Sequence, residues 1–236
     1  MPSLSDLTIK IWADSADLTR MTWLLPMFVT GITTNPSLMK AAGVCDYERF
    51  GRQLSENNPE MAVSLEVLAD DLATMERQAH QIAQWGTNVY VKIPVVTSHG
   101  EASYPIIRRL HRAGVKLNIT ALFTVEQAER VLMMLDAEAN AVLSVFAGRI
   151  ADTGRDPCVT IRGISALYDN PRIGLLWAST REVLNVIQAQ EAGADIITLA
   201  PALIQKLDLL GKDLTEYSRE TSAQFYADGL AAGLRL

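Results

Sequence analysis

Residues Ala62–Val95 read AVSLEVLADDLATMERQAHQIAQWGTNVYVKIPV. Two short runs, Ala62–Ala69 and Asn88–Val95, are apolar through most of their length, whereas Leu72–Trp85 between them spaces its apolar residues as a helix does. Gly86 stands where that helix must stop. Strands that are apolar throughout, rather than alternating, suit a sheet covered on both faces, as parallel sheets are. The stretch is therefore expected to form a strand, a helix and a second, parallel strand.

The unit recurs in both directions. Further runs lie at Lys10–Ser15, Gly31–Asn35, Val115–Phe123, Ala141–Gly148, Arg172–Ser179 and Asp195–Ala200, with amphipathic segments at Val125–Leu135 and Arg181–Ala192. Gly114 and Gly193 end helices as Gly86 does, and Thr124-Val-Glu-Gln and Ser179-Thr-Arg-Glu read as capping boxes. Eight strand–helix repeats without a break in composition predict an α/β fold, a single (β/α)8 TIM barrel over residues 1–236. An open doubly wound sheet would call for a Gly-rich turn after an early strand, and no GxGxxG occurs. Pro201–Leu207 supplies the eighth helix. Leu214–Leu230 adds a helix carrying Tyr217, Phe225 and Tyr226, so segment 213–236 is expected to be either a lid on the barrel's flank or a subunit-contact arm.

Composition narrows the function classes. The chain has 236 residues, 49% of them hydrophobic and 20% charged, as in an ordinary globular protein. Lys and Arg number 21 against 27 Asp and Glu, a net charge of −6 that disfavours duplex nucleic acid and anionic membrane as partners. Cys45 and Cys158 stand far apart, outside any CxxC, and His80, His99 and His111 lack ligand spacing, so no metal is expected. No basic-then-apolar leader opens the sequence and no apolar run approaches the ~18 residues of a membrane span. The expected location is cytoplasmic.

Polar residues interrupt the strands near their C-terminal ends: Asp14, Thr33 with Asn35, Glu66, Lys92, Asn118 with Thr120, Ser144 and Ser179. In a (β/α)8 barrel that end is the mouth, and alternate residues point inward. Taken singly, a snorkelling lysine or a carboxylate pairing with it would be ordinary. A ring of polar groups from separate strands is not. Lys92, set in Val-Tyr-Val-Lys-Ile-Pro-Val, is a candidate to form a Schiff base with a carbonyl. Asp14 and Glu66 are placed to move protons beside it. Asn35, Asn118 and Thr120 can hydrogen-bond a carbinolamine or sugar hydroxyls. Arg149 and Arg181, just past adjacent strands and joined by the Ser179 hydroxyl, suit an anion such as phosphate.

These residues carry a resemblance. Ala13-Asp-Ser, Gly31-Ile-Thr-Thr-Asn-Pro-Ser, Ser64-Leu-Glu-Val, Val91-Lys-Ile-Pro, Leu117-Asn-Ile-Thr-Ala-Leu-Phe, Ser144-Val-Phe-Ala-Gly-Arg-Ile and Ala178-Ser-Thr-Arg, in this order, resemble the transaldolases, including the short branch with the fructose-6-phosphate aldolases. The resemblance implies that Lys92 forms the imine with C2 of a ketose phosphate and that Glu66 works through a water. It implies that Asp14 takes the C4 hydroxyl proton as C3–C4 breaks, while Asn35, Asn118, Thr120 and Ser144 hold the dihydroxyacetone unit. Thr33 and Phe146 join the substrate-binding set, and Arg149, Ser179 and Arg181 match the phosphate group. No cofactor is implied. Glu66 and Phe146 stand where the aldolase branch has Gln and Tyr, which implies transfer to an aldose phosphate. The short length and terminal helix are similar to the aldolase branch and imply a homo-oligomer, in ring form as in short members. Val145 departs from the Pro found there in many members. A fructose-6-phosphate lyase and a non-catalytic sugar-phosphate binder are the alternatives, and sugar phosphates are the expected partners of all three.

Overall fold

The computed structural model describes residues 4–17 and 28–235. Strands β1 (Lys10–Asp14), β2 (Val29–Thr33), β3 (Ala62–Glu66), β4 (Val89–Pro94), β5 (Leu117–Leu122), β6 (Ala141–Val145), β7 (Ile173–Trp177) and β8 (Ile196–Leu199) close into a barrel in chain order. Each pairs in parallel with its neighbours, and β8 returns to β1. Helices α1 (Pro36–Ala41) and α2 (Tyr47–Asn57) follow β2. Single helices α3 (Leu72–Ala83), α4 (Tyr104–Arg112) and α5 (Val125–Leu132) follow the next three strands. Helices α6 (Ala147–Ala151) and α7 (Pro157–Ser165) follow β6, α8 (Leu184–Glu191) follows β7, and α9 (Pro201–Gln205) follows β8. Helix α10 (Leu214–Ala231) completes the described chain.

The eight strands lie where the apolar runs placed them, but several end early, and past two of them a side chain takes the nearby backbone donors. Strand β3 stops at Glu66 rather than Ala69 because Gln78 Oε1 accepts from Leu68 N and Ala69 N at 2.8 and 2.9 Å. Strand β2 spans Val29–Thr33, not Gly31–Asn35, since Asn35 leaves the sheet and its Oδ1 caps α1 by accepting from Leu38 N at 3.0 Å. Strand β6 stops at Val145, and the Ala147–Gly148 end of the expected run begins α6 instead.

Two local expectations are corrected. Thr124 and Gln127 do form a capping box on α5, but Ser179 caps nothing. Ser179 takes a left-handed backbone, φ 64°, and α8 starts only at Leu184; the free donors of Arg181 and Glu182 go to Asn185 Oδ1 instead. Gly86 is needed for close approach and not for a left-handed turn: a Cβ there would lie 1.8 Å from Ser55 Oγ.

Almost every strand residue is buried, on whichever side it faces. Leu65, Ile93, Ile119, Leu143, Leu175 and Ile197 meet the helices and are fully covered. The opposite parity gives a second, separate apolar cluster inside the barrel, made of Trp12, Val142, Leu176, Ala178 and Ile196 with Tyr90 against it. Trp12 and Tyr90 approach to 6.5 Å between ring centroids. The indole fits because its β2 neighbour is Gly31, where a Cβ would sit 2.5 Å from the ring. These side chains fill the barrel at mid-height, as in other closed eight-stranded barrels. Helix α10 is different in kind, for none of its residues is buried.

Candidate active site

Two residues beyond the apolar plug, on the same face of most strands, the interior turns polar. Trp12 is followed by Asp14, Gly31 by Thr33, Tyr90 by Lys92, Val142 by Ser144 and Ile196 by Thr198; β3 adds Ser64 and Glu66, and β5 adds Asn118 and Thr120. Period-two alternation thus lifts a polar layer onto an apolar one. Strand register then chooses neighbours: Glu66 lies opposite Lys92, Lys92 opposite Asn118, and Asp14 opposite Thr33.

Lys92 is only 7% exposed. Its Nζ donates to the Thr34 carbonyl at 2.6 Å and to Glu66 Oε2 at 3.3 Å. The other Glu66 oxygen accepts from Thr120 Oγ1 at 3.4 Å, so one carboxylate touches both the amine and a hydroxyl. The Glu66 backbone is itself braced, its carbonyl accepting from Tyr47 Oη at 2.9 Å while the Tyr47 ring meets Trp85 edge-on at 5.0 Å. Burial pushes the Tyr47 phenol up, which keeps it a donor.

Asp14 faces the same space. Burial holds its carboxyl above the ordinary aspartate value; the Lys92 charge and the Thr33 hydrogen bond oppose that shift, and the Glu66 charge adds to it. Thr33 Oγ1 donates to Asp14 Oδ1 at 2.8 Å. Asn118 is fully buried and held at both ends, donating to Ser64 Oγ at 3.0 Å and accepting from Ser144 Oγ at 2.6 Å. Asn35 sits at the rim with its carbonyl oxygen committed to the α1 cap.

The expected anion-binding residues lie at one side of the mouth, on touching segments. Gly148 packs so closely that a Cβ would come within 1.6 Å of the Ser179 carbonyl. Arg149 is exposed and stacks over the Phe146 ring at 5.1 Å, with Phe123 6.0 Å beyond. Arg181 already has a carboxylate, Asp152 Oδ2 at 2.5 Å, with both side chains about half exposed. An exposed pair of this kind is weak, so an incoming phosphate can compete for the guanidinium.

The structure therefore joins Asp14, Thr33, Glu66, Lys92, Asn118, Thr120 and Ser144 into one inward-facing layer, with Asn35, Phe146, Arg149, Ser179 and Arg181 on its margin. Sequence reasoning missed Ser64, Asp152 and Thr198. Ser64 and Thr198 obey the same two-residue spacing, and Thr198 is the one polar residue of β8, so the signal was there. Asp152 meets Arg181 only through the fold. Among the described residues, no group of three or more His, Cys, Asp and Glu could hold a metal ion, and no helix is long and apolar enough to cross a membrane.

A nucleophilic amine in contact with one carboxylate and under the charge of a second, above an apolar floor, is equipped for imine chemistry on a carbonyl compound. The model of the transaldolase/fructose-6-phosphate aldolase family matches residues 11–232. A probable transaldolase of Dehalococcoides mccartyi is 35% identical over 203 residues, covering 84% of this chain and 90% of the relative. A probable transaldolase of Brucella ovis is 33% identical over 238 residues, covering 97% of this chain and all of the relative. Among solved structures, a 3-hexulose-6-phosphate synthase superposes with a TM-score of 0.61 at 15% identity, over 86% of this chain and 98% of its own, a likeness of fold.

Proposed function

Since the chain belongs to the transaldolase/fructose-6-phosphate aldolase family, we propose that it transfers a dihydroxyacetone unit from a ketose phosphate to an aldose phosphate through a Schiff base on Lys92. The observation that carries this reading is the Lys92 amine, buried in the barrel and bonded to Glu66 and the Thr34 carbonyl. Nζ adds to the C2 carbonyl, and loss of water gives the imine. Glu66, which contacts Nζ and Thr120, is the group to shuttle protons in that dehydration. Asp14 then takes the C4 hydroxyl proton as the C3–C4 bond breaks. The bonding pair passes into the imine, leaving an enamine on Lys92 and releasing an aldose phosphate with C4 as its aldehyde carbon. The enamine carbon attacks the acceptor aldehyde, Asp14 returns the proton to the new hydroxyl, and hydrolysis frees the product and Lys92.

Asn35, Asn118, Thr33 and Ser144 are assigned to the hydroxyls of the retained unit, and Arg149, Ser179 and Arg181 to phosphate. Carboxylate at Glu66 and an apolar ring at Phe146 favour transfer over simple cleavage. Segment 213–236 is assigned to contact with a second copy of the chain, in a homo-oligomer. The helix leaves Leu214, Phe225, Tyr226 and Leu230 exposed and buries none of its residues, which supports that assignment.

Borohydride added with fructose 6-phosphate, followed by peptide mass mapping, tests the reaction. The expected result is a reduced three- or six-carbon adduct on Lys92, absent from a folded Lys92→Ala variant that also shows no turnover. An unlabelled Lys92 in folded, substrate-saturated protein would remove the Schiff-base reading. Sustained release of free dihydroxyacetone without an acceptor would reassign the enzyme as a lyase.

A further inference from the structure

We propose that Thr198 is a positioning residue for Asp14, acting through Thr33 as the far end of a two-hydroxyl relay that fixes which carboxylate oxygen meets the substrate. The inference rests on the reading of Asp14 as the group that takes the C4 hydroxyl proton. Thr33 Oγ1 lies 2.8 Å from Asp14 Oδ1 and 2.6 Å from Thr198 Oγ1. Both threonines are almost wholly buried, at 4% and 6% exposure, so water is a poor substitute for either partner.

Counting protons sets the direction of the chain. A hydroxyl has one proton to give, and an ionised carboxylate has none. When Thr33 gives its proton to Asp14, its contact with Thr198 requires Thr198 to be the donor. The bonds then run Thr198 to Thr33 to Asp14, each strengthening the next. Oδ1 is thereby occupied, and Oδ2 is left for the substrate hydroxyl. A proton arriving on Oδ2 asks nothing of the relay, which stays intact through cleavage and return. Thr198 is well anchored for this task, because the sheet pairs it with Trp12 and its carbonyl accepts from Thr180 Oγ1 at 2.8 Å.

The relay also favours the ionised carboxyl, against the burial that disfavours it. The charged groups acting on Asp14 are Lys92 from β4 and Glu66 from β3, and its neutral partner is Thr33 of β2, which in turn meets Thr198 of β8. Losing the Thr198 hydroxyl weakens the Thr33 bond and lets the carboxyl rotate. The acidic limb of the rate profile must then move to higher pH, because Asp14 acts as a base only when ionised.

Thr198→Val, Thr198→Ser and wild type would be compared by kcat, KM, the pH dependence of kcat/KM and borohydride trapping with fructose 6-phosphate. For Thr198→Val the expected result is a kcat lower by roughly tenfold with KM within about twofold. Its acidic limb should lie at higher pH, and its trapped adduct should shift from three carbons towards six, as imine formation outruns cleavage. Thr198→Ser should restore the limb and most of the rate. A Thr198→Val profile superimposable on wild type would overturn the proposal. So would equal damage in Thr198→Val and Thr198→Ser with an unmoved limb, since that pattern belongs to packing. Should Thr198→Val fail to fold, the serine variant still decides: with its hydroxyl kept, a loss of rate as large as that of Asp14→Asn would overturn the role. Failure of the Schiff-base reading itself looks different, because wild type would then trap no adduct.

Discussion

Burial raises Asp14 above the ordinary aspartate value, and that shift has a consequence for stability. The folded state favours the protonated form more than the unfolded chain does. At neutral pH, where the unfolded carboxyl is ionised, Asp14 therefore subtracts from stability; the deficit shrinks as pH falls through the folded value and is gone below the unfolded one. Asp14→Asn keeps an acceptor for Thr33 and removes the buried charge, while Lys92 retains Glu66. Its unfolding midpoint at pH 7 is expected to rise, by about 2–4 °C per kcal/mol regained, with the gain fading towards about pH 4. Turnover should drop by roughly 10²–10⁴. Thermal scans across pH, beside steady-state assays, check both signs. Most of this residue-level picture was legible in the sequence, because Lys92, Glu66 and Asp14 are conspicuous in apolar strands. Thr198 went unread although it keeps the two-residue spacing, since threonine is itself at home in a strand.

At the level of elements, the number, order and parallel sense of the strands were readable from the apolar runs, and the ends were not. Three of the missed ends have a side-chain amide that captures nearby backbone donors: Gln78 after β3, Asn35 after β2, Asn185 before α8. Such contacts join residues whose pairing the fold alone creates. The junction of β6 and β7 is the most constrained of these places. Gly148 has backbone, not a flexible side chain, against the position a Cβ would fill. Gly148→Ala is expected to lower stability by about 1–3 kcal/mol, measured by urea unfolding, because the Ser179 carbonyl must move away. It should raise KM for phosphorylated sugars through displacement of Arg149 and Ser179. Imine trapping on Lys92, across the mouth, should persist.

For the molecule as a whole, α10 is the element that the barrel does not explain. Phe225 and Tyr226 are 69% and 71% exposed on a helix that buries no residue of its own. A double Phe225→Ser, Tyr226→Ser variant is expected to give a smaller particle by light scattering while keeping the wild-type circular dichroism of the barrel. An unchanged particle mass would place the subunit contact elsewhere. The sequence offered the aromatic residues and the helix, but not which surface the helix meets, because that depends on contacts only the folded molecule creates.

Trp12 and Tyr90 meanwhile give the barrel the plan of a cul-de-sac. With its interior stoppered at mid-height, the polar chamber opens, among the described residues, at the C-terminal ends of the strands. On the proposed reaction the outgoing aldose and the incoming one use the same doorway, and neither can pass while the other stands in it. The two half-reactions must then alternate like traffic on a one-lane bridge, with the enamine waiting on Lys92 in between. Crowding by either sugar delays the other. The queue is a property of the indole at mid-height in the barrel, one layer below any atom that reacts.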